Sequence, residues 1–259
     1  LELVAATRDD RQAMPLDRPP TTSGEGEGAT PPTPTSSRSP AEPRDLGSGA
    51  FLVPLPGAPD YASLVIERSD HLVLVEAPLG SRETDGLLAA IAERFPDKPI
   101  RWVVATHHHF DHAGGVPRAL ADGATLVTTP GNVAFFRRAV VGPYTIEPRH
   151  GIEGAAGASD PPTVQVVADT WSVPGGPPSV EILRVAANAH AAEMLAVHLP
   201  DSKLVFQCDL VRLPLEGEER PQVDALRRLL RERTPGVERV AGVHGEVGRA
   251  EDLFGSGED

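Results

Sequence analysis

Between residues 107 and 112 the chain reads His-His-His-Phe-Asp-His, four imidazoles and one carboxylate within six positions. Imidazole nitrogens and a carboxylate together suit zinc, and also iron or manganese, better than calcium or magnesium. A histidine-rich turn can also be merely solvated, or hold metal without catalysing anything. The spacing favours a metal site over a solvated turn. His107 and His109 are two apart and can converge on one ion, while the adjacent Asp111 and His112 can face a second. Gly114-Gly115 then lets the backbone turn tightly and pass close to the site.

The elements that must position this cluster follow from apolar patterning. Ile100 to Ala105 is an apolar run that reads as a buried strand, so the cluster sits at a strand end, on a loop held by a rigid scaffold. Upstream, Phe51–Leu55, Tyr61–Glu67 and His71–Glu76 read as strands, with Ser69-Asp70 as a hairpin turn. Ser81-Arg82-Glu83-Thr84 opens a helix through about Phe95, with Leu87, Leu88, Ile91 and Phe95 on one face. After the cluster come a helix near Gly115–Ala121, a strand Ala124–Thr128 and a helix Asn132–Val140. Further strands are expected at Thr163–Ala168, Val180–Val185, Met194–Leu199, Lys203–Cys208 and Arg239–Val243, with a helix at Pro221–Glu232. Residues after Glu251 read as frayed. Val141–Pro162 is Gly- and Pro-containing and long for a compact domain, which fits a functional lid or a disordered loop; as a lid, its Tyr144 and His150 are the candidate substrate contacts.

Residues 1–48 are expected to be a flexible segment rich in Pro, Ser, Thr and Gly, too poor in apolar surface to offset its ordering entropy. Its first residues, Leu1–Ala6, fit either a frayed terminus or the end of an upstream domain. Residues 49–259 are expected to form one folded domain that carries any catalytic site. Aromatics are only 4% of the chain, so the core must be built from Val, Leu, Ile and Ala. A net charge of −13 disfavours nucleic acid, whose binding rests on neutralising phosphates, and disfavours anionic membranes. The expected partner is a small-molecule substrate, with the oligomeric state open. The single cysteine, Cys208, excludes an intrachain disulfide and fits a reducing compartment. Because the chain begins at Leu1, a signal peptide would be out of view, and a periplasmic or secreted location stays open beside a cytoplasmic one.

Three more ligand candidates each follow a strand: His190, Asp209 in Phe206-Gln207-Cys208-Asp209-Leu210, and His244 in Gly242-Val243-His244-Gly245. With the motif Thr106-His107-His108-His109-Phe110-Asp111-His112-Ala113-Gly114-Gly115, this order resembles the metallo-β-lactamase superfamily over roughly Phe51–Leu253, and a hydrolase branch of it often longer at the N-terminus. The resemblance implies an α/β fold, a four-layer αβ/βα sandwich with a two-metal site between its sheets. It implies that His107, His109 and His190 hold one ion, that Asp111, His112 and His244 hold the other, and that Asp209 bridges them. Zinc is the expected ion, two per chain, with iron or manganese as alternatives.

The implied activity is a binuclear metallo-hydrolase of the β-lactamase, lactonase or glyoxalase II type. A hydroxide shared by the ions would cleave a lactam, lactone, ester or thioester. Asp111 would orient that hydroxide, with His107, His109 and His112 as the other catalytic residues of the motif. Two readings compete: a mononuclear-iron oxygenase acting on persulfides, which needs fewer ligands, and a non-catalytic metal-binding or interaction module. Two positions depart from the family pattern. Cys208 stands where Gly often precedes the bridging Asp; it reads as a small buried hydrophobe on the opposite face, or as a ligand if the register slips by one. Glu76 stands where many members carry Asp, and reads as structural or as an outer partner of a ligand. His108 should point away from the site or orient a neighbour, His198 should be a satisfied mid-strand histidine, and His71 should be solvated.

Overall fold

The computed structural model describes residues 42–141, 161–213, 221–244 and 247–254, all within the unit Arg38–Asp259; the unit Leu1–Ser37 lies outside the described residues. The first sheet has seven strands in chain order: β1 (Arg44–Gly47), β2 (Ala50–Leu55), β3 (Ala58–Glu67), β4 (Leu72–Val75), β5 (Ile100–Val104), β6 (Thr125–Thr128) and β7 (Val164–Val166). β1 to β4 pair antiparallel through short turns, and β4 to β7 pair parallel. Parallel neighbours need a crossover. Helix α1 (Ser81–Arg94) supplies it between β4 and β5, and the short α2 (Phe110–Ala113) and α3 (Val116–Ala119) supply it between β5 and β6. Helix α4 (Val133–Val141) follows β6.

The second sheet has six strands: β8 (Thr170–Ser172), β9 (Glu181–Val185), β10 (Met194–Leu199), β11 (Leu204–Gln207), β12 (Arg239–Gly242) and β13 (Gly248–Arg249), neighbours in the sheet in reverse chain order. Only β11 and β12 are parallel, joined across helix α5 (Pro221–Arg233).

The period-2 geometry of the strands sorts their side chains into layers. In β4, Leu72 and Leu74 pack with Leu87 and Ile91 of α1, whereas Val73 and Val75 pack with Ile182 and Val197 of the second sheet. Leu226 and Leu229 of α5 join the same inner cluster. Each fully buried Leu or Val contributes about 1.5–3 kcal/mol. The result is the expected αβ/βα sandwich. It brings the carboxyl ends of β5, β11 and β12 to one rim, which is where open α/β sheets bind ligands.

Several expectations need correction. Arg44–Gly47 is a strand although residues through 48 read as flexible; the Leu46 side chain is buried, and its carbonyl accepts a hydrogen bond from Arg239 at 2.6 Å. A polar four-residue edge strand closed by left-handed Gly47, Ser48 and Gly49 has no alternation to read. β8 and β13, with three and two residues, are too short to register in the same way. Of the residues after Glu251 that read as frayed, the described ones are ordered: Ala250–Leu253 forms a 3-10 turn, and Leu253 is fully buried; residues 255–259 lie outside the described residues.

His71 is not solvated either. It is fully buried, with Nδ1 2.7 Å from Asp70 Oδ1. The segment around Gly175 closes over it, because Arg68 donates to the carbonyls of Gly176 and Pro178. No sequence pattern linked residue 71 to residue 175. Tyr144, His150 and most of the expected lid, residues 142–160, lie outside the described residues.

Candidate metal centre

The motif begins two residues past β5. Thr106 ends the extended run, and His109 caps α2, so Asp111 and His112 occupy the first turn of a helix rather than a loop. That turn reverses the chain sharply under the loop after β4. A Cβ on Gly114 would stand 1.8 Å from the Leu79 carbonyl oxygen, and one on Gly115 would stand 1.8 Å from Thr84 Oγ1. Only glycine fits at either position, which is the reason for the trailing pair.

The seven ligand candidates converge. One ligand atom each from His107, His109, His190 and Asp209 lies within 4.8 Å of the others, and the same holds for Asp111, His112, Asp209 and His244. Asp209 belongs to both groups, in the bridging place. Its Oδ2 is 2.8 Å from His112 Nε2 and 2.9 Å from His190 Nε2, and its Oδ1 is 3.3 Å from His244 Nε2. Asp111 Oδ2 lies 3.6 Å from both His112 Nε2 and His244 Nε2.

The chemistry of this donor set fits a cation. His107 Nε2 and His190 Nε2 face each other at 3.2 Å, and His112 Nε2 and His244 Nε2 do so at 3.1 Å. Two facing Nε2 atoms need a positive centre between them, which in the metal-free protein is a proton, as on His112, and which a metal ion would replace. The outer nitrogens are committed elsewhere. His112 Nδ1 donates to Glu76 Oε2 at 2.9 Å, and His107 Nδ1 meets Thr106 Oγ1 at 3.1 Å. Such outer partners fix tautomer and ring orientation and leave Nε2 as the metal face.

Electrostatics follow the same arrangement. Burial opposes charge on the Asp209 carboxyl, but hydrogen bonds from His107, His112 and His244 outweigh it and hold the group far below the usual carboxylate range. Burial likewise opposes the His112 imidazolium, and the Asp209 and Glu76 carboxylates outweigh it, so its pKa rises. Burial lowers His107, His109 and His190, which keeps them neutral with lone pairs free to ligate.

Glu76 is fully buried, sits in the left-handed region at φ 69°, and accepts from both His112 and the Thr106 N–H at 3.0 Å. It thus stands behind His112, one of the ligand candidates. His108 is exposed and turns away, stacking edge-on between His109 and Phe135. His198 is satisfied by Glu181 at 2.8 Å.

Cys208 is buried, as expected, but not on the opposite face. Its Sγ lies 2.6 Å from Thr106 Oγ1 and within 4.8 Å of ligand atoms of His107 and His112. Strand alternation stops applying there because β11 ends at Gln207. The Gln207 side chain accepts from the N–H groups of Leu210 and Val211 and turns the backbone, so Cys208 and Asp209 both face the centre. Burial pushes the thiol up, while Asp209 is the residue common to the two four-residue groups.

Sequence reasoning missed three residues around the adjoining cavity of about 370 Å³: Tyr61, Val211 and Arg212. Tyr61 reaches in from β3 and packs edge-on against His244, ring centroids 4.7 Å apart. Burial and the Asp111 and Asp209 carboxylates raise its phenol pKa. Nothing in the sequence joined Tyr61 to His244. Arg212 was findable, being three residues past Asp209 on the same strand end; its Nε donates to the His244 carbonyl at 3.0 Å.

The family model described as metallo-beta-lactamase superfamily matches residues 57–244. Among solved structures, a metallo-beta-lactamase from Pontibacter korlensis superposes with a TM-score of 0.62 at 22% identity, covering 82% of this chain and 94% of that one. One from Hirschia baltica gives 0.57 at 21% identity, covering 83% and 95%. The metallo-beta-lactamase FIM-1 from Pseudomonas aeruginosa, in its mono-zinc form, gives 0.58 at 20% identity, covering 83% and 92%. No curated protein matches in sequence. At these identities the structural likeness is one of fold, while the family model spans most of the chain. The chain therefore belongs to the metallo-beta-lactamase superfamily.

Proposed function

We propose that this protein is a metal-dependent hydrolase acting on a small molecule through a lactam, lactone, ester or thioester bond. The observation that carries the reading is the placement of Asp209 within both ligand groups, with Asp111, His112 and His244 on one side and His107, His109 and His190 on the other. Two zinc ions are the group this donor set suits, and when bound they would supply an activated water at neutral pH and polarise the scissile bond.

The chain's own residues divide the remaining work. Asp111, the most exposed of the ligand carboxylates, borders the cavity and is placed to orient a water and to take its proton. Glu76 and Thr106 hold the imidazoles. Arg212 also lines the cavity, and a guanidinium there favours a substrate with an anionic group. The cavity volume suits a small molecule rather than a polymer.

The test is turnover by the full chain, zinc-loaded and EDTA-stripped, on a chromogenic cephalosporin, an acyl lactone, a glutathione thioester and a phosphotriester. Metal-dependent turnover of one of the carboxylic-acid derivatives supports the reading. Turnover of the phosphotriester alone would refute the bond class. A single bound iron with no hydrolysis would refute the hydrolase and favour oxygenase chemistry.

A further inference from the structure

The ligands of the first ion are held unequally. His107 and His109 follow β5 closely, and Asp209 follows β11 by two residues, so strands fix them. His190 lies five residues past the end of β9, on the connection 186–193 to β10. Something must hold that connection still.

It is tethered at both ends. Near its start, Asn188 Oδ1 accepts from the N–H groups of His190 at 2.9 Å and Ala191 at 3.2 Å, while Asn188 Nδ2 donates to the Ala186 carbonyl at 3.2 Å. At its end, Glu193 reaches across to the other sheet. Glu193 Oε2 accepts from the Gly131 N–H at 2.6 Å, in the 3-10 turn Pro130–Asn132 that leads into α4. Glu193 Oε1 accepts from Arg184 Nη2 at 3.0 Å, on β9. The approach to the turn is close: a Cβ at residue 131 would stand 2.7 Å from Glu193 Oε2, so the carboxylate would have to shift.

We propose that Glu193 is a positioning residue for the metal centre: by latching the 186–193 connection to the turn before α4, it sets the His190 imidazole at the first ion. This rests on the metal reading of the site. Glu193 is half-buried, so its ion pair with Arg184 adds little to stability. Metal ligation is far less tolerant, because ligand distances must hold to about 0.2 Å. Loss of the latch therefore shows in metal affinity before it shows in folding.

The experiment titrates metal-free full chain with cobalt(II) against a competing chelator, following visible absorption, in wild type, Glu193→Ala, Glu193→Gln, His190→Ala and the double variant Glu193→Ala/His190→Ala. The expected result is two binding steps in wild type. In Glu193→Ala the step that His190→Ala abolishes weakens about tenfold, the low end for outer partners of metal ligands. The other step is unchanged, Glu193→Gln falls between, and Glu193→Ala has no further effect once His190 is gone. Wild-type affinities in Glu193→Ala, or a Glu193 effect that persists in the His190→Ala background, would overturn the role of Glu193 alone. Wild type that binds no cobalt would overturn the metal reading itself and this proposal with it.

Discussion

Replacing Glu76 by Gln changes one oxygen to an NH2 group at constant size, and the surrounding contacts dictate the consequence. Two donors converge on the Glu76 carboxylate: His112 Nδ1–H at 2.9 Å and Thr106 N–H at 3.0 Å. Glutamine offers one acceptor oxygen, so one of these donors must face an NH2 group. The Glu76 side chain is wholly buried, and water cannot repair the mismatch. An orphaned buried donor costs about 1–3 kcal/mol. If the amide nitrogen faces His112, the ring relieves the clash by moving its proton to Nε2, the atom turned toward Asp209 and His244, and that atom then cannot ligate. If it faces Thr106, the segment leading into the motif loses its anchor. Either way the second ion, which Asp111, His112, Asp209 and His244 would hold, should bind about 10–100-fold more weakly, the range for outer partners of metal ligands. Stepwise zinc affinities from chelator competition, with thermal melts of the metal-free protein alongside, measure both effects. A Glu76→Gln protein with wild-type affinity for both ions would refute the orienting role of Glu76 toward His112.

Asp111→Asn should keep the fold, since Asp111 is the least buried of the ligand candidates, yet reduce turnover by about 10²-fold or more; steady-state kinetics on whichever substrate the panel identifies would check it, and wild-type turnover would remove Asp111 from the mechanism. The metal-free protein should be most stable near about pH 6.5, because the lowered pKa values of His107, His109 and His190 cost stability below the unfolded value, where the unfolded chain takes up protons that these buried rings refuse. The lowered Asp209 pKa contributes stability above its unfolded value and loses it as pH falls; the raised His112 pKa contributes below its unfolded value and loses it as pH rises. Melts of EDTA-treated protein across pH would contradict this if stability peaked at pH 8 or above. Leu253→Ala should cost about 2–5 kcal/mol, because Leu253 is fully buried in the inner cluster; a change under about 0.5 kcal/mol in denaturant unfolding would show that the terminal turn does not pack as described.

The convergence of these seven side chains was legible because the chemistry is written in residue types at fixed spacing. His107, His109, Asp111 and His112 lie within six positions, and His190, Asp209 and His244 each follow an apolar run, so each could be placed at a strand end without knowing the topology. The sandwich itself was legible from the alternation of apolar runs with helical periodicity, together with the family resemblance those motifs carried. Short polar pieces such as Arg44–Gly47 and Gly248–Arg249 were not, since a strand of two to four residues shows no period and forms only because a neighbouring strand offers it a ladder.

What the sequence determined alone is the identity of the atoms able to meet a metal ion. What only the tertiary structure decided is which side chains stand behind and beside them. Glu76 could be suspected as an outer partner, but that it orients His112 depends on β4 lying next to β5 in the sheet. Cys208 turns inward because Gln207 folds the backbone back after β11. Tyr61 meets His244 across 183 residues of chain, and Glu193 meets Gly131 across 62, only because the two sheets face each other. Ligand chemistry is a property of residue type and survives in a linear string. Orientation and support are contacts between segments far apart in the chain, and they exist only once the hydrophobic layers have brought those segments together.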